Sequence, residues 1–297
     1  MKKLRQTIAQ IQSLDPDSSE ELDSLLWQYI CYSPKMPVRL QQQQLLDKAE
    51  TSLLKVNDDY FAKKELSFNA FRWGSGKYKI LLTHGWGSKA IDFSEIITAL
   101  DEIEDFEIIA FDAPGNGSSE GDLSNLLLYI QAVKAAVSYY GKPDVVIGHS
   151  LGAMANMIAL REMEIKTSIL ISLTPLLQLK ENFEFSMNAI GISTLSQTEF
   201  LNSFQNKFGV PASSFTFNNW YNFDDQLNHW IAYDVNDQVS PYYYLESFLE
   251  THPTIKMKNY ADVGHDKVIK SQAMITDLIE QVTSALSYSS SKSSVHL

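Results

Sequence analysis

Cysteine is almost missing from this sequence. Cys31 is the only one in 297 residues, which excludes an internal disulfide and a cysteine-built metal cluster. Cations are outnumbered too: 24 Lys and Arg face 36 Asp and Glu, for a formal net charge of −12. No dense Lys/Arg stripe interrupts that balance, which argues against a nucleic-acid footprint and against docking on an anionic membrane. Nor does any stretch approach the roughly 18 unbroken apolar residues of a membrane span. Lys2, Lys3 and Arg5 imitate the basic start of an export signal, but Gln6, Thr7, Gln10, Gln12 and Ser13 break the apolar run that should follow. The expectation is a cytoplasmic protein with neutral or cationic partners. What the chain does have is a globular composition, with 44% apolar residues, enough for one large core and a small accessory segment.

The most informative stretch is Asp144-Val145-Val146-Ile147-Gly148-His149-Ser150-Leu151-Gly152. Three β-branched residues run into Gly-x-Ser-x-Gly, and Ala153, Met154, Ala155, Met157, Ile158, Ala159 and Leu160 then continue as a largely buried helix. A strand, a sharp turn and a helix are implied, a nucleophile elbow. Such a turn strains its central residue and requires that the positions two before and two after carry no side chain that would collide. It lifts the Ser150 hydroxyl above the sheet edge and turns the helix N-terminus toward it, so the Leu151 amide becomes a donor for an anion formed on a substrate carbonyl. A second copy of the pattern, Gly117-Ser118-Ser119-Glu120-Gly121, follows Pro114-Gly115-Asn116 instead of an apolar strand. It is expected to be a loop, with Ser119 a solvated turn residue.

Residues 1–60 read as an N-terminal helical extension. Ser18-Ser19-Glu20-Glu21 resembles a capped start, followed by Leu22, Leu25, Leu26, Tyr29 and Ile30 at helical spacing. A second helix is expected from Val38 through Leu54, with Gln41 to Gln44 on or near its surface, and both helices are expected to pack against the main domain. From Phe61 the pattern partly alternates until Gly74-Ser75-Gly76, the signature of a hairpin. Strands at 78–83, 106–111, 145–149 and 167–172 then alternate with helices at 93–100 and 123–140 and after Ser150. That order implies a mainly parallel sheet covered on both faces, with functional loops at the C-terminal strand ends. His84, Asp112, Ser150 and Thr174 all lie just past such ends. The alternation lapses over 176–227, an aromatic-rich insertion placed to form a lid. It resumes with a strand at 227–233, a helix at 241–249, a strand at 254–260 and a closing helix at 267–286. Residues 287–297, rich in serine, are expected to be a disordered tail.

A serine hydroxyl is a poor nucleophile at neutral pH and needs an imidazole to take its proton, oriented by an acid. If a strand–turn–helix serine of this kind keeps its usual chain order, the acid and then the base follow it. Of the six histidines, His84 and His149 belong to the two turns, His229 opens a strand, His252 ends a helix and His296 lies in the tail. His265, in Asp262-Val263-Gly264-His265-Asp266, alone sits past the final strand. The acid falls within Asp234-Val235-Asn236-Asp237. Either aspartate could reach, but Asp237 lies deeper in the loop and is favoured, while Asp234 suits bracing the turn. Trp86, after His84-Gly85, offers the second oxyanion-hole amide beside Leu151, and Asp112 is expected to tie down its own loop.

Taken together, His84-Gly85-Trp86-Gly87, Asp112-Ala113-Pro114-Gly115-Asn116-Gly117-Ser118, the turn from Gly148 to Gly152, Asp237 and Gly264-His265 resemble the α/β-hydrolase superfamily over 61–286. Asn116 stands where many relatives carry histidine, and Ala232-Tyr233-Asp234 replaces a common glycine. The resemblance implies an α/β-hydrolase fold, no metal, no organic cofactor, and a serine esterase or lipase with Ser150, Asp237 and His265 as catalytic triad. Its substrate would be a small acyl compound cleaved through an acyl-enzyme. The aromatics of the insertion suit an apolar acyl or alcohol group, or equally seal the lid onto the core. Acyl transfer or carbon–carbon cleavage by the same triad stays open, as does a non-catalytic binding protein using its N-terminal helices as contact surface.

Overall fold

A computed structural model describes residues 2–14, 19–223 and 227–293. Three helices come first: α1 (Lys2–Ser13), α2 (Ser19–Cys31) and α3 (Leu40–Leu46). The antiparallel pair β1 (Glu50–Asp58) and β2 (Lys64–Gly74) follows, then β3 (Tyr78–Thr83), α4 (Ser94–Asp101), β4 (Phe106–Phe111), α5 (Leu126–Tyr140), β5 (Val145–His149), α6 (Leu151–Glu162) and β6 (Ile169–Leu173). The insertion comprises α7 (Leu179–Ala189), α8 (Thr194–Phe208) and α9 (Phe217–Trp220). The chain closes with β7 (His229–Tyr233), α10 (Tyr242–Thr251), β8 (Lys256–Asn259), α11 (Gly264–Lys267) and α12 (Gln272–Ser293).

The strands form one eight-stranded sheet in the order β1-β2-β4-β3-β5-β6-β7-β8. All neighbours from β4 to β8 are parallel, and only the β1–β2 and β2–β4 pairings are antiparallel. The fold is that of an α/β hydrolase. Central strands are buried along their whole length, as β-strands covered on both faces must be. Their side chains divide by alternation: Leu81, Val146 and Leu170 face one core with α2, α5 and α6, whereas Ile80, Leu82, Val145, Ile147, Ile169 and Ile171 face another with α4 and α12. Among the described residues no helix is long and apolar enough to cross a membrane.

Several sequence expectations need correction. The second helix ends at Leu46, and residues 50–58 form β1 instead of helix, so the helical part of 1–60 is shorter than expected. In β1, Leu54 and Val56 are buried opposite Phe68 and Leu66 while Leu53 is exposed. The hairpin turn therefore lies at 59–63. Gly74-Ser75-Gly76 makes no hairpin, because β2 pairs with β4 and β3 crosses to the far side of β4. Gln42 is buried and its side-chain amide donates to the Ile91 carbonyl and the Asp92 carboxylate, each at 3.2 Å. Ser119 is not solvated either: its hydroxyl donates to the Asp112 carbonyl at 2.6 Å and accepts the Asn69 amide at 2.9 Å. The closing helix continues to Ser293 where a tail was expected. Ser18, residues 224–226 of the insertion, and the tail at 294–297 lie outside the described residues.

Candidate active site

β5 delivers Ser150 into the turn before α6 with φ 52 and ψ −120, a region that costs a non-glycine residue about 1–3 kcal/mol. The flanking glycines are required by contact. A Cβ on Gly148 would lie 2.5 Å from the Ala153 Cα, and one on Gly152 only 2.3 Å from the Thr83 carbonyl oxygen. The serine main chain is tied to its surroundings: its amide donates to Leu173 at 3.0 Å, and its carbonyl accepts from Ala153 and Leu176, each at 3.1 Å.

The loops after β7 and β8 bring the other two side chains to it. His265 Nδ1 lies 2.7 Å from Asp237 Oδ2, and its Nε2 lies 2.8 Å from Ser150 Oγ. With the carboxylate accepting from Nδ1–H, Nε2 is left free to accept the serine proton. The other carboxylate oxygen of Asp237 accepts the Val239 and Ser240 amides at 2.8 and 3.0 Å, so both oxygens are held. Asp234 spans the two loops, accepting the Asn236 amide at 2.9 Å and the Gly264 amide at 2.7 Å. It touches the main chain beside His265, not the imidazole. Two further groups hold that main chain: Thr174 Oγ1 and His149 Nε2 each lie 3.0 Å from the His265 carbonyl oxygen.

Among the described residues His149 is the only other imidazole lining the site. Burial first, and then the neighbouring His265, push its pKa down to about 3. It therefore stays neutral at ordinary pH and does not compete with His265 for the proton. His149, His265 and Asp266 could each offer a metal a ligand atom within 4.8 Å of the others, but both ring nitrogens of His265 are already engaged.

The turn after β3 abuts the serine, since a Cβ on Gly85 would lie 3.1 Å from the Ser150 Cβ and 2.7 Å from His149 Nδ1. The Gly85 carbonyl accepts the Tyr129 hydroxyl at 3.0 Å. His84 adds a second bond: its Nε2 accepts the Ala113 amide at 3.0 Å, so Nδ1 carries the proton donated to Gly85 at 2.7 Å. Burial keeps the Tyr129 phenol pKa well above its ordinary value, so it remains a donor. In a trans peptide C=O and N–H point opposite ways, so fixing the Gly85 carbonyl fixes the Trp86 amide. Neither the Trp86 nor the Leu151 amide donates to a protein acceptor among the described residues. Asp112 ties its own loop, as expected, by accepting Ser118 N–H and O–H at 2.7 and 2.8 Å, and it also accepts the Ala90 amide at 2.8 Å.

Ser150 opens into a cavity of about 380 Å³. The insertion supplies one wall, including Leu179, Phe183 and Phe204; the N-terminal helices supply another, including Leu4, Tyr29 and Ile30. No local pattern in the sequence points to this place for α2. Its link to the insertion is a set of long-range contacts: Tyr29 donates to the Ser186 carbonyl at 3.0 Å, and the Trp27 indole donates to Ser203 at 3.1 Å while packing against Phe200, Phe204 and Phe208. Nothing local in the sequence marks Tyr129 or His149 for the contacts they make, and Thr174 carries only the signal of lying past a strand end.

Comparison with curated protein sequences finds no match. Solved structures share the fold at low identity. The Pyrococcus furiosus esterase Pf2001 superposes with a TM-score of 0.60 at 17% identity, over 87% of this chain and 97% of that one. A thermophilic esterase from Thermogutta terrifontis gives 0.55 at 15%, over 79% and 99%. Epoxide hydrolase VrEH1 from Vigna radiata gives 0.55 at 12%, over 80% and 99%. A family model described as the alpha/beta hydrolase family matches residues 80–273, from within β3 to the start of α12, and the chain belongs to that family.

Proposed function

We propose that this hydrolase is a serine esterase that cleaves a carboxylic ester or related acyl substrate through an acyl-enzyme. The observation that carries the reading is the unbroken line from the Asp237 carboxylate through the His265 ring to the Ser150 hydroxyl, at 2.7 and 2.8 Å. Ser150 Oγ attacks the carbonyl carbon as its proton passes to His265 Nε2, and Asp237 stabilises the imidazolium. Charge gathers on the carbonyl oxygen, where the Leu151 and Trp86 amides receive it. The imidazolium then gives its proton to the departing alcohol, leaving the acyl group on Ser150. Water, deprotonated by the same ring, releases the acid and restores the serine. An aspartate-nucleophile reaction of the epoxide-hydrolase kind is disfavoured by Ser150 itself.

In this reading α7 to α9 act as the lid, and α1 and α2 complete the substrate pocket. The apolar lining suits an acyl or alcohol chain of modest length. A fluorophosphonate probe should label wild-type protein at Ser150 and spare Ser150→Ala, and wild type should hydrolyse p-nitrophenyl butyrate while the variant does not. Wild-type protein that neither takes the probe nor cleaves short aryl esters sinks the proposal.

A further inference from the structure

The mechanism leaves two polar groups in the cavity wall unused. Ser124 and Asn125 line the same cavity as Ser150 and Trp86. Both are more than nine-tenths buried, and neither the Ser124 hydroxyl nor the Asn125 side-chain nitrogen has a protein partner among the described residues. The orientation of the Asn125 amide is not ambiguous. Its oxygen accepts the Leu128 amide at 3.0 Å as N-cap of α5, so the group without a partner is the NH₂, which can only donate. Capping alone does not call for that NH₂, because Asp or Ser would cap the helix as well.

Leaving such a donor buried and unmet is costly, because its hydration is lost and nothing replaces it. The cost is removed when an acceptor from the cavity comes within reach of these two atoms, which lie just beneath the cavity surface. The backbone at this corner is held rigid: the Ser124 amide donates to the Cys31 carbonyl at 2.8 Å, and Tyr32 makes a β-bridge with Leu123. The corner is thus preformed, between the start of α5 and the end of α2. Charge narrows the ligand further. Among the described residues the cavity lining contains no lysine or arginine but includes Asp266, so the wall itself offers an anionic tail no counter-ion.

We propose that Ser124 and Asn125 form a polar subsite that recognises a neutral hydrogen-bond acceptor, a carbonyl, ether or hydroxyl oxygen, on the substrate at a distance from the scissile carbonyl. This rests on the esterase reading of the same cavity. The natural substrate is then an oxygen-bearing acyl ester and not a plain hydrocarbon one.

The test is an oxygen scan. Two series of aryl and alkyl esters carry one ether or keto oxygen at each successive position, one series along the acyl chain and the other along the alcohol chain. Wild type should favour one position about tenfold in kcat/KM over the all-carbon ester. In Ser124→Ala and Asn125→Asp that ratio should fall to 1 or below, while Asn125→Asp retains the cap and melts within a few degrees of wild type. A flat wild-type scan, or a preference unchanged in both variants, overturns the subsite. Binding of the matching non-hydrolysable amides to Ser150→Ala protein separates the two ideas. No turnover but the same positional preference in binding sinks the esterase and keeps the subsite; turnover with flat binding does the reverse.

Discussion

Thr174 donates its hydroxyl to the carbonyl oxygen of His265 across 3.0 Å, and it does so from φ 38. A β-branched residue rarely occupies that conformation, and the strain costs about 1–3 kcal/mol. What the conformation brings is a clamp. His149 holds the same carbonyl, Asp234 holds the amide of Gly264 just before it, and Asp237 holds the ring. The imidazole is therefore located through its main chain as well as its side chain, and Ser150 needs only a small range of positions to meet it.

Replacing Thr174 tests that clamp. Thr174→Val keeps the shape and deletes the hydroxyl; Thr174→Ser keeps the hydroxyl and eases the crowding. Thr174→Val should lower kcat on an aryl ester about ten- to a hundredfold with KM little changed, and Thr174→Ser should stay within a few-fold of wild type. Equal turnover by Thr174→Val and wild type would show that the carbonyl needs no second donor.

The two aspartates after β7 differ in what they touch, and their amide variants should differ accordingly. Asp237→Asn presents an NH₂ or a neutral oxygen to the ring and no longer favours the imidazolium; kcat should fall by about three to four orders of magnitude. Asp234→Asn loses one main-chain contact beside Gly264 and should cost far less turnover, its main effect being a lower melting temperature. A larger loss in Asp234→Asn than in Asp237→Asn would reverse the assignment of the acid.

These relationships were unequally accessible from sequence. Strands β3 and β4 and the turn at Ser150 follow from short-range pattern, because apolar runs and the glycines at 148 and 152 report on their own neighbourhood. Ser150, His265 and the acid-bearing loop at 234–237 can be brought together from sequence because each sits just beyond a strand end, where a parallel sheet gathers its loops, but that position is shared by Asp234 and Asp237 and does not choose between them. β1 could not be read this way. Leu45, Leu46, Ala49, Leu53 and Leu54 recur at a spacing compatible with helix, and only pairing with Phe68 and Leu66 decides that Leu54 and Val56 point inward. The wall formed by α2 has the same origin: Trp27 meets Ser203 across 176 positions of chain, a separation at which no local pattern survives.

Buried imidazoles set the pH dependence of stability. Burial pushes His229 down to about 3, burial and then the nearby His265 bring His149 to about 3, and burial lowers His84 as well. Folded, these rings stay neutral below pH 6.5; unfolded, they take up protons. The stability owed to His229 and His149 is thus fully present above about pH 6.5 and falls as pH is lowered toward 3, by about 1.4 kcal/mol per pH unit for each of these two rings, and His84 acts in the same direction. Urea titrations at pH 4 to 6 should show a slope shallower by about that amount in His229→Gln than in wild type. An unchanged slope would mean that His229 is already protonated in the fold.

Trp27 carries the last prediction, because it joins the N-terminal helices to the insertion. Its ring lies 4.8 Å from Phe200 and 5.8 Å from Phe208, its indole N–H reaches Ser203, and Lys207 sits over its face at 5.2 Å. Ser203 in turn donates to Asp23 at 2.9 Å, so one side chain ties together packing and a polar chain. Trp27→Ala empties this joint and should cost about 3–5 kcal/mol, seen as a lower unfolding midpoint. It should also enlarge the cavity wall shared by α2 and α8, shifting the preferred aryl ester to a longer acyl chain. Trp27→Phe, which keeps most of the ring and loses the N–H, should be milder in stability and retain the wild-type chain-length optimum. If Trp27→Ala melts early but keeps that optimum, α2 stabilises the fold without shaping the pocket, and the N-terminal helices would have to be viewed as an external brace.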